Sequence, residues 1–150
     1  MTGHERFMQA ALGLAREAAL AGEVPVGAVV VVGEEIVGRG FNRPISTHDP
    51  TAHAEVVAIR DAAARLGNYR LTDATLYVTV EPCLMCVGAM VHARIGTLVY
   101  GAPEPKAGAI DSTQRAHEHG ALNHRMTIVS GVCAAESKAL MQEFFSARRK

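Results

Sequence analysis

The chain has 150 residues, 49% of them apolar, and its 15 lysines and arginines are matched by 15 aspartates and glutamates. At that length one domain spanning residues 1–150 can bury a real core, while the charge balance excludes a globally basic, non-specific nucleic-acid binder, so any RNA contact must come from a local patch. The opening Met1-Thr2-Gly3-His4-Glu5-Arg6-Phe7 has no apolar signal core and no later run approaches a membrane span, so a cytoplasmic protein without a membrane partner is expected.

Phe7, Met8, Ala11, Leu12, Ala15 and Ala18-Ala19 recur at helical spacing over residues 4–21, and Gly22 supplies a stop. Residues 24–32 are rich in β-branched side chains, Gly33-Glu34-Glu35 turns the chain, and residues 36–40 return, which predicts a hairpin. A second helix is predicted over about residues 51–66, with Asp49 or Thr51 as cap and Pro50 tolerated at its first position. Residues 74–80 read as a buried strand running straight into a third helix, with Pro82 in its first turn. Residues 95–100 give another strand, Ile128-Val129 a short last one, and residues 134–149 a closing helix. In between, Pro103, Pro105 and Gly108 break any regular pattern, and residues 111–119 are polar. His117 and His119 there lack a cysteine or paired carboxylate at ligand spacing, so a solvated loop or short surface helix is expected rather than a second metal site. Strands alternating with helices imply an α/β domain with one mixed sheet covered on both faces.

The chemistry concentrates in Glu81-Pro82-Cys83-Leu84-Met85-Cys86 and the upstream His53-Ala54-Glu55. Residues at i and i+3 are neighbours on a helix surface, so Cys83 and Cys86 can present both sulfurs to one metal ion. The positive end of a helix favours the thiolate form that binds metal. His53, also near a helix start, is the candidate third ligand, whereas Glu55 at i+2 does not share its face and is free for other work. Two thiolates and one imidazole around Zn²⁺ leave the fourth position open, the mark of a catalytic site; water held there has its pKa lowered toward about 7, and Glu55 is the carboxylate placed to take its proton. An isolated Cys-x-x-Cys would serve redox or structural zinc equally well; His53 and Glu55 decide for catalysis. Three cysteines, two of them in ligand spacing, argue against a disulfide framework, and Cys133 is expected to pack as a small apolar side chain.

His53-x-Glu55 followed by Pro82-Cys83-x-x-Cys86 resembles the signature of the zinc-dependent cytidine and adenosine deaminase superfamily. Gly40-Phe41-Asn42-Arg43-Pro44-Ile45, Asp49-Pro50-Thr51-Ala52, Asn68-Tyr69-Arg70-Leu71, Ala74-Thr75-Leu76-Tyr77-Val78-Thr79, Asn123-His124-Arg125 and Phe144-Phe145 closely resemble the bacterial tRNA-specific adenosine deaminases, over nearly the whole length. The resemblance implies a three-layer α/β/α cytidine-deaminase-like fold with a mixed five-stranded sheet, and one zinc per subunit of a homodimer. It implies deamination of the wobble adenosine to inosine in a tRNA anticodon of the tRNA-Arg type. Asn42, Asn123 and Phe145 are the implied substrate contacts, and Arg148-Arg149-Lys150 is an implied grip on phosphates.

Read from residue type alone, Asn42 caps a turn, Phe144 and Phe145 anchor the core, and the basic tail is a solvated helix end. A helix-start N–H, at Ala54 or near Pro82-Cys83, is a candidate donor to the base edge. The chain departs from the family at Glu104, where an Asp is usual, and at Ser112-Thr113-Gln114-Arg115, where an apolar run of Ser-Leu-Met type is usual. Two alternatives stand beside this reading. One is a deaminase of a free base or nucleoside such as cytosine, guanine or cytidine, against which the Asn42-Arg43-Pro44 and Asn123-His124-Arg125 segments weigh. The other is a non-catalytic, zinc-stabilised RNA-binding subunit, against which the presence of Glu55 weighs.

Overall fold

Residues 1–148 are described by a computed structural model; Arg149 and Lys150 of the basic terminus lie outside the described residues. Thr2 starts the first helix, α1 (Gly3–Leu20), with a capping box: its hydroxyl accepts the Glu5 N–H at 3.1 Å and the Glu5 carboxylate accepts the Thr2 N–H at 3.0 Å. The predicted hairpin follows as β1 (Gly27–Val32) and β2 (Glu35–Phe41), and a single turn of helix, α2 (Pro44–Thr47), comes next without any periodic signal to announce it. The rest of the chain alternates α3 (Ala54–Leu66), β3 (Thr75–Val80), α4 (Leu84–Ala93), β4 (Thr97–Ala102), β5 (Thr127–Val129) and α5 (Ala134–Arg148).

The five strands lie in the order β2-β1-β3-β4-β5. β1 pairs antiparallel with β2 and β3, while β3–β4 and β4–β5 are parallel, so the sheet is mixed as expected. Alternation along the strands divides the core in two. Ala28, Val30, Leu76, Val78, Leu98 and Tyr100 face α3 and α4. Val29, Val31, Tyr77 and Val99 face α1, with Leu140 of α5 against the same cluster. Strands buried on both faces read as continuous apolar runs, as β1 does. No helix among the described residues is long and apolar enough to cross a membrane.

Two glycines set how closely α3 approaches the sheet. A Cβ at Gly40 would stand 2.5 Å from the Ala54 carbonyl oxygen, and one at Gly38 would stand 2.4 Å from that of Ala58. Only hydrogen at these positions lets the helix backbone rest on β2, which places the start of α3 beside the strand ends.

β1 starts at Gly27 rather than 24 and β4 runs on to Ala102 rather than 100, and three further boundaries differ from the sequence expectation, each for a local reason. α3 begins at Ala54 rather than 51, because Asp49 Oδ1 accepts the Thr51 N–H at 2.9 Å and its hydroxyl at 2.7 Å, holding residues 49–52 in a turn. Pro82 precedes the cap of α4 instead of lying in its first turn. β4 starts at Thr97 rather than 95, because Arg94 closes α4 at φ 63° and the Ile95 N–H bonds back to the Met90 carbonyl at 3.1 Å. His117 also departs from a solvated loop: it is buried in a 3₁₀ turn (Ala116–Glu118) with its Nδ1 unpaired, whereas His119 is exposed. Of Leu84, Val87, Met90 and Val91 on α4, all but Leu84 are buried within the chain.

Candidate metal centre and substrate pocket

Parallel pairing sets Val80 of β3 beside Ala102 of β4, so the segments leaving both strands emerge at one edge, where open α/β sheets bind ligands. Cys83 follows β3 as the N-cap of α4, and Cys86 lies in that helix's first turn. His53 is the N-cap of α3, with Glu55 in its first turn. Neither cap residue spends its side chain on a capping hydrogen bond, which leaves both ligand atoms available.

His53 Nδ1 stands 3.5 Å from Cys83 Sγ and 3.6 Å from Cys86 Sγ, and the three ligand atoms lie within 4.8 Å of one another. A tetrahedral zinc with bonds of about 2.3 Å to sulfur and 2.0–2.1 Å to nitrogen separates N from S by roughly 3.5 Å. Donor types and spacing therefore both suit that ion. No other group of three such side chains with converging ligand atoms occurs among the described residues, and His117 and His119 are not part of this one.

The electrostatics of the cluster favour one thiolate even before metal enters. Hydrogen bonding from Cys86, with further help from His53, lowers the Cys83 thiol to about 4. The same bond to Cys83, together with burial and the nearby Glu55, pushes the Cys86 thiol upward. The bond to Cys83 likewise raises His53. Burial pushes the Glu55 carboxyl up to about 7. A bound cation would favour the anionic form of both cysteines.

A pocket of about 790 Å³ opens onto this cluster; Asn42, His53, Glu55, Cys83, Glu104 and Phe145 line it together with the rest of residues 103–107. The structure thus gathers most of the predicted site residues, though not all in the expected manner. Asn42 Oδ1 accepts the Ala54 N–H at 2.7 Å, so that N–H is already engaged and Ala54 offers no free donor to a base edge. Asn123 is exposed, accepts a bond from Arg94 at 2.8 Å, and does not line the pocket. Phe144 is the core anchor, at 8% exposure, while Phe145 is 40% exposed at the pocket and packs edge-on to it, ring centroids 5.3 Å apart. Arg148 stacks 3.7 Å over the Phe144 ring and donates to the Gly22 carbonyl at 3.2 Å, clasping α5 to the end of α1.

Two buried carboxylates, Glu23 and Glu81, carry no site motif in the sequence. Glu23 accepts the Ser46 N–H at 2.7 Å and hydroxyl at 2.6 Å, steadying the turn after Asn42. Glu81 accepts bonds from residues 104, 110, 111 and 112; burial alone would raise it, but those bonds, Ser112 foremost, hold it at about 2. A charged residue inside an otherwise apolar strand-to-helix junction was the available signal.

Comparison with known proteins agrees with this geometry. Residues 2–149 match the family model of the MafB19-like deaminases. A tRNA-specific adenosine deaminase of Haemophilus influenzae is 47% identical over 147 residues, covering 97% of this chain and 85% of the relative. A solved structure from studies of A-to-I editing by tRNA:A34 deaminases at the wobble position of transfer RNA superposes with a TM-score of 0.88 at 44% identity, covering 90% of this chain and 98% of the other. A guanine deaminase from Nitrosomonas europaea superposes with a TM-score of 0.83 at 27% identity, covering 95% and 84%. The chain belongs to the MafB19-like deaminase family and, within it, to the tRNA-specific adenosine deaminases.

Proposed function

We propose that the protein acts as a single zinc-dependent domain that hydrolyses the wobble adenosine of a tRNA anticodon to inosine. The observation that carries the chemistry is the His53–Cys83–Cys86 cluster at zinc spacing, with the buried Glu55 on the same pocket. The likeness to tRNA-specific adenosine deaminases supplies the substrate.

His53, Cys83 and Cys86 would hold the zinc. When bound, the ion supplies a Lewis acid that brings the pKa of water toward about 7. Glu55 takes a proton from the attacking water and delivers it to ring N1. As the oxygen bonds to C6 and the C6–amine bond breaks, the second water proton passes through Glu55 to the amine, which leaves as ammonia. Asn42, fixed through Oδ1 by the Ala54 N–H, keeps its amide N–H groups for an acceptor on the base. Phe145 offers a stacking face at the mouth. Asn123, outside the pocket, is assigned to a flanking nucleotide rather than to the reacting base. Anticodon bases are already unpaired, so little unstacking energy is needed. A cytoplasmic homodimer completes the proposal; exposed Leu84 and Met85 on α4 are apolar surface that it would cover.

The test is inosine formation on an arginine-tRNA anticodon stem-loop with A at the wobble position, beside free adenosine, cytidine, cytosine and guanine. Turnover of the stem-loop alone is the expected result. Turnover of a free base without the RNA would keep the chemistry and overturn the substrate.

A further inference from the structure

One wall of the pocket is a loop, residues 103–107, with no helix or strand of its own. Such a segment ordinarily moves, because exposed backbone has little to hold it. Here it is tied to a carboxylate that begins 23 residues earlier in the chain. Glu81 Oε1 accepts the Glu104 N–H at 3.0 Å and the Ser112 hydroxyl. Glu81 Oε2 accepts the N–H groups of Ile110, Asp111 and Ser112 at 3.1, 2.8 and 2.9 Å. The loop's two halves are thereby drawn onto one side chain, with the pocket wall between β4 and that knot.

Five donors exceed the roughly four acceptor sites of a carboxylate. Glu81 borders the pocket, yet with every acceptor site taken and only 4% exposure it has no capacity left for substrate. Space is equally committed. A Cβ at Gly108 would fall 2.4 Å from Glu81 Cδ and Oε1 and 2.6 Å from the Glu104 carbonyl oxygen, which accepts the Gly108 N–H at 2.8 Å. The Glu104 carboxylate folds back to accept the Ala107 N–H, so this side chain too is spent inside the loop. On the other side, the Ala109 N–H donates to the Pro82 carbonyl at 2.8 Å, fastening the loop to the residue before Cys83.

We propose that Glu81 is a positioning residue for the target nucleotide: by gathering the loop after β4 onto one carboxylate, it fixes the 103–107 wall against which the nucleotide is held. It acts through Glu104 and its neighbours, without touching the reacting atoms. The proposal rests on the deaminase reading of the pocket. Because the wall contains neither the metal-type cluster nor Glu55, loosening it removes binding shared by ground and transition states, which raises KM and leaves kcat.

The experiment compares wild type with Glu81→Gln, Glu81→Asp and Gly108→Ala, all zinc-loaded. Each is measured for KM and kcat on the stem-loop, for zinc content, and for hydrogen exchange at the Ile110, Asp111 and Ser112 amides. Glu81→Gln replaces one acceptor by a donor facing other donors, and Gly108→Ala displaces the knot from the opposite side. Both are expected to raise KM by about tenfold or more, with kcat within about threefold, zinc retained and the three amides deprotected. Glu81→Asp keeps the charge and is expected to recover part of the loss. A fall in kcat at unchanged KM, loss of zinc, or amides as protected as in wild type would overturn the proposal. Should Glu81→Gln fail to fold, Gly108→Ala and Glu81→Asp decide the matter through the same three measurements. Should wild type spare the stem-loop and use a free base, the substrate reading falls. The clamp is then judged by KM for that base and by the amide exchange.

Discussion

Glu55 is the residue at which catalysis and stability should pull in opposite directions. Its carboxyl is 4% exposed, and burial holds it at about 7 rather than its ordinary 4.5. Keeping a group ionised against such a shift costs the folded, metal-free protein roughly 3 kcal/mol above pH 7, at about 1.4 kcal/mol per tenfold change in proton affinity. The sign follows from the raised value. Below pH 4.5 the acid is neutral both folded and unfolded and the cost vanishes; it grows as pH rises from 4.5 through 7. Glu55→Gln removes the charge and nearly keeps the shape, so the chelator-treated, reduced variant should be more stable than wild type by roughly 2–3 kcal/mol near pH 8, with little difference near pH 4. Urea unfolding at the two pH values reads this directly. The same substitution in zinc-loaded protein should lower kcat by at least about 10²–10⁴-fold while zinc stays bound, because Glu55 lies outside the converging His53–Cys83–Cys86 group. A variant less stable than wild type near pH 8, or a gain of equal size near pH 4, would refute the buried-carboxylate reasoning. Retained turnover would refute the proton-shuttle role.

Other substitutions separate the remaining parts of the site. Cys83→Ser or Cys86→Ser should lower bound zinc well below one per chain, measured by metal analysis after dialysis; stoichiometric zinc in either would remove these thiols from the ligand set. Gly40→Ala forces a Cβ to within 2.5 Å of the Ala54 carbonyl oxygen and should destabilise the fold by about 1–3 kcal/mol in urea, with wild-type stability contradicting the close approach of α3 to β2. The two phenylalanines should part company: Phe144→Ala should cost about 3–5 kcal/mol of stability, whereas Phe145→Ala should raise KM for the stem-loop and leave the unfolding midpoint nearly unchanged.

How much of this was legible depended on whether a feature is written locally. The helices over 4–21 and 134–149 and the strand over 74–80 carry their own periodicity, and the structure moves their ends by a residue at most among the described positions. α3 starts three residues beyond its expected place because Asp49 resembles a helix cap but closes a turn on Thr51 instead. α2 has one turn and no period to detect. Asn42 admits two readings from residue type and resemblance, a turn cap and a pocket residue; the structure places it on the pocket, and its Oδ1 bonds the Ala54 N–H twelve residues on rather than a backbone group of its own turn.

The sequence by itself singled out the candidate donor set and the proposed general base, because His53, Cys83 and Cys86 have the donor chemistry zinc prefers and Glu55 is marked by its offset from His53; the structure brings the three donor atoms within 4.8 Å of one another. It also determined the layering, since β1 reads as an apolar run that only a strand covered on both faces would need. Tertiary structure alone decided what surrounds that chemistry. Glu81 meets donors 23 to 31 residues away, Asn123 is drawn off to Arg94, and Gly108 is required by a carboxylate from another strand's end. None of these partners is periodic or adjacent in sequence. Each is set by which strand ends parallel pairing brings to one edge of the sheet, and that registration exists only once the chain has folded.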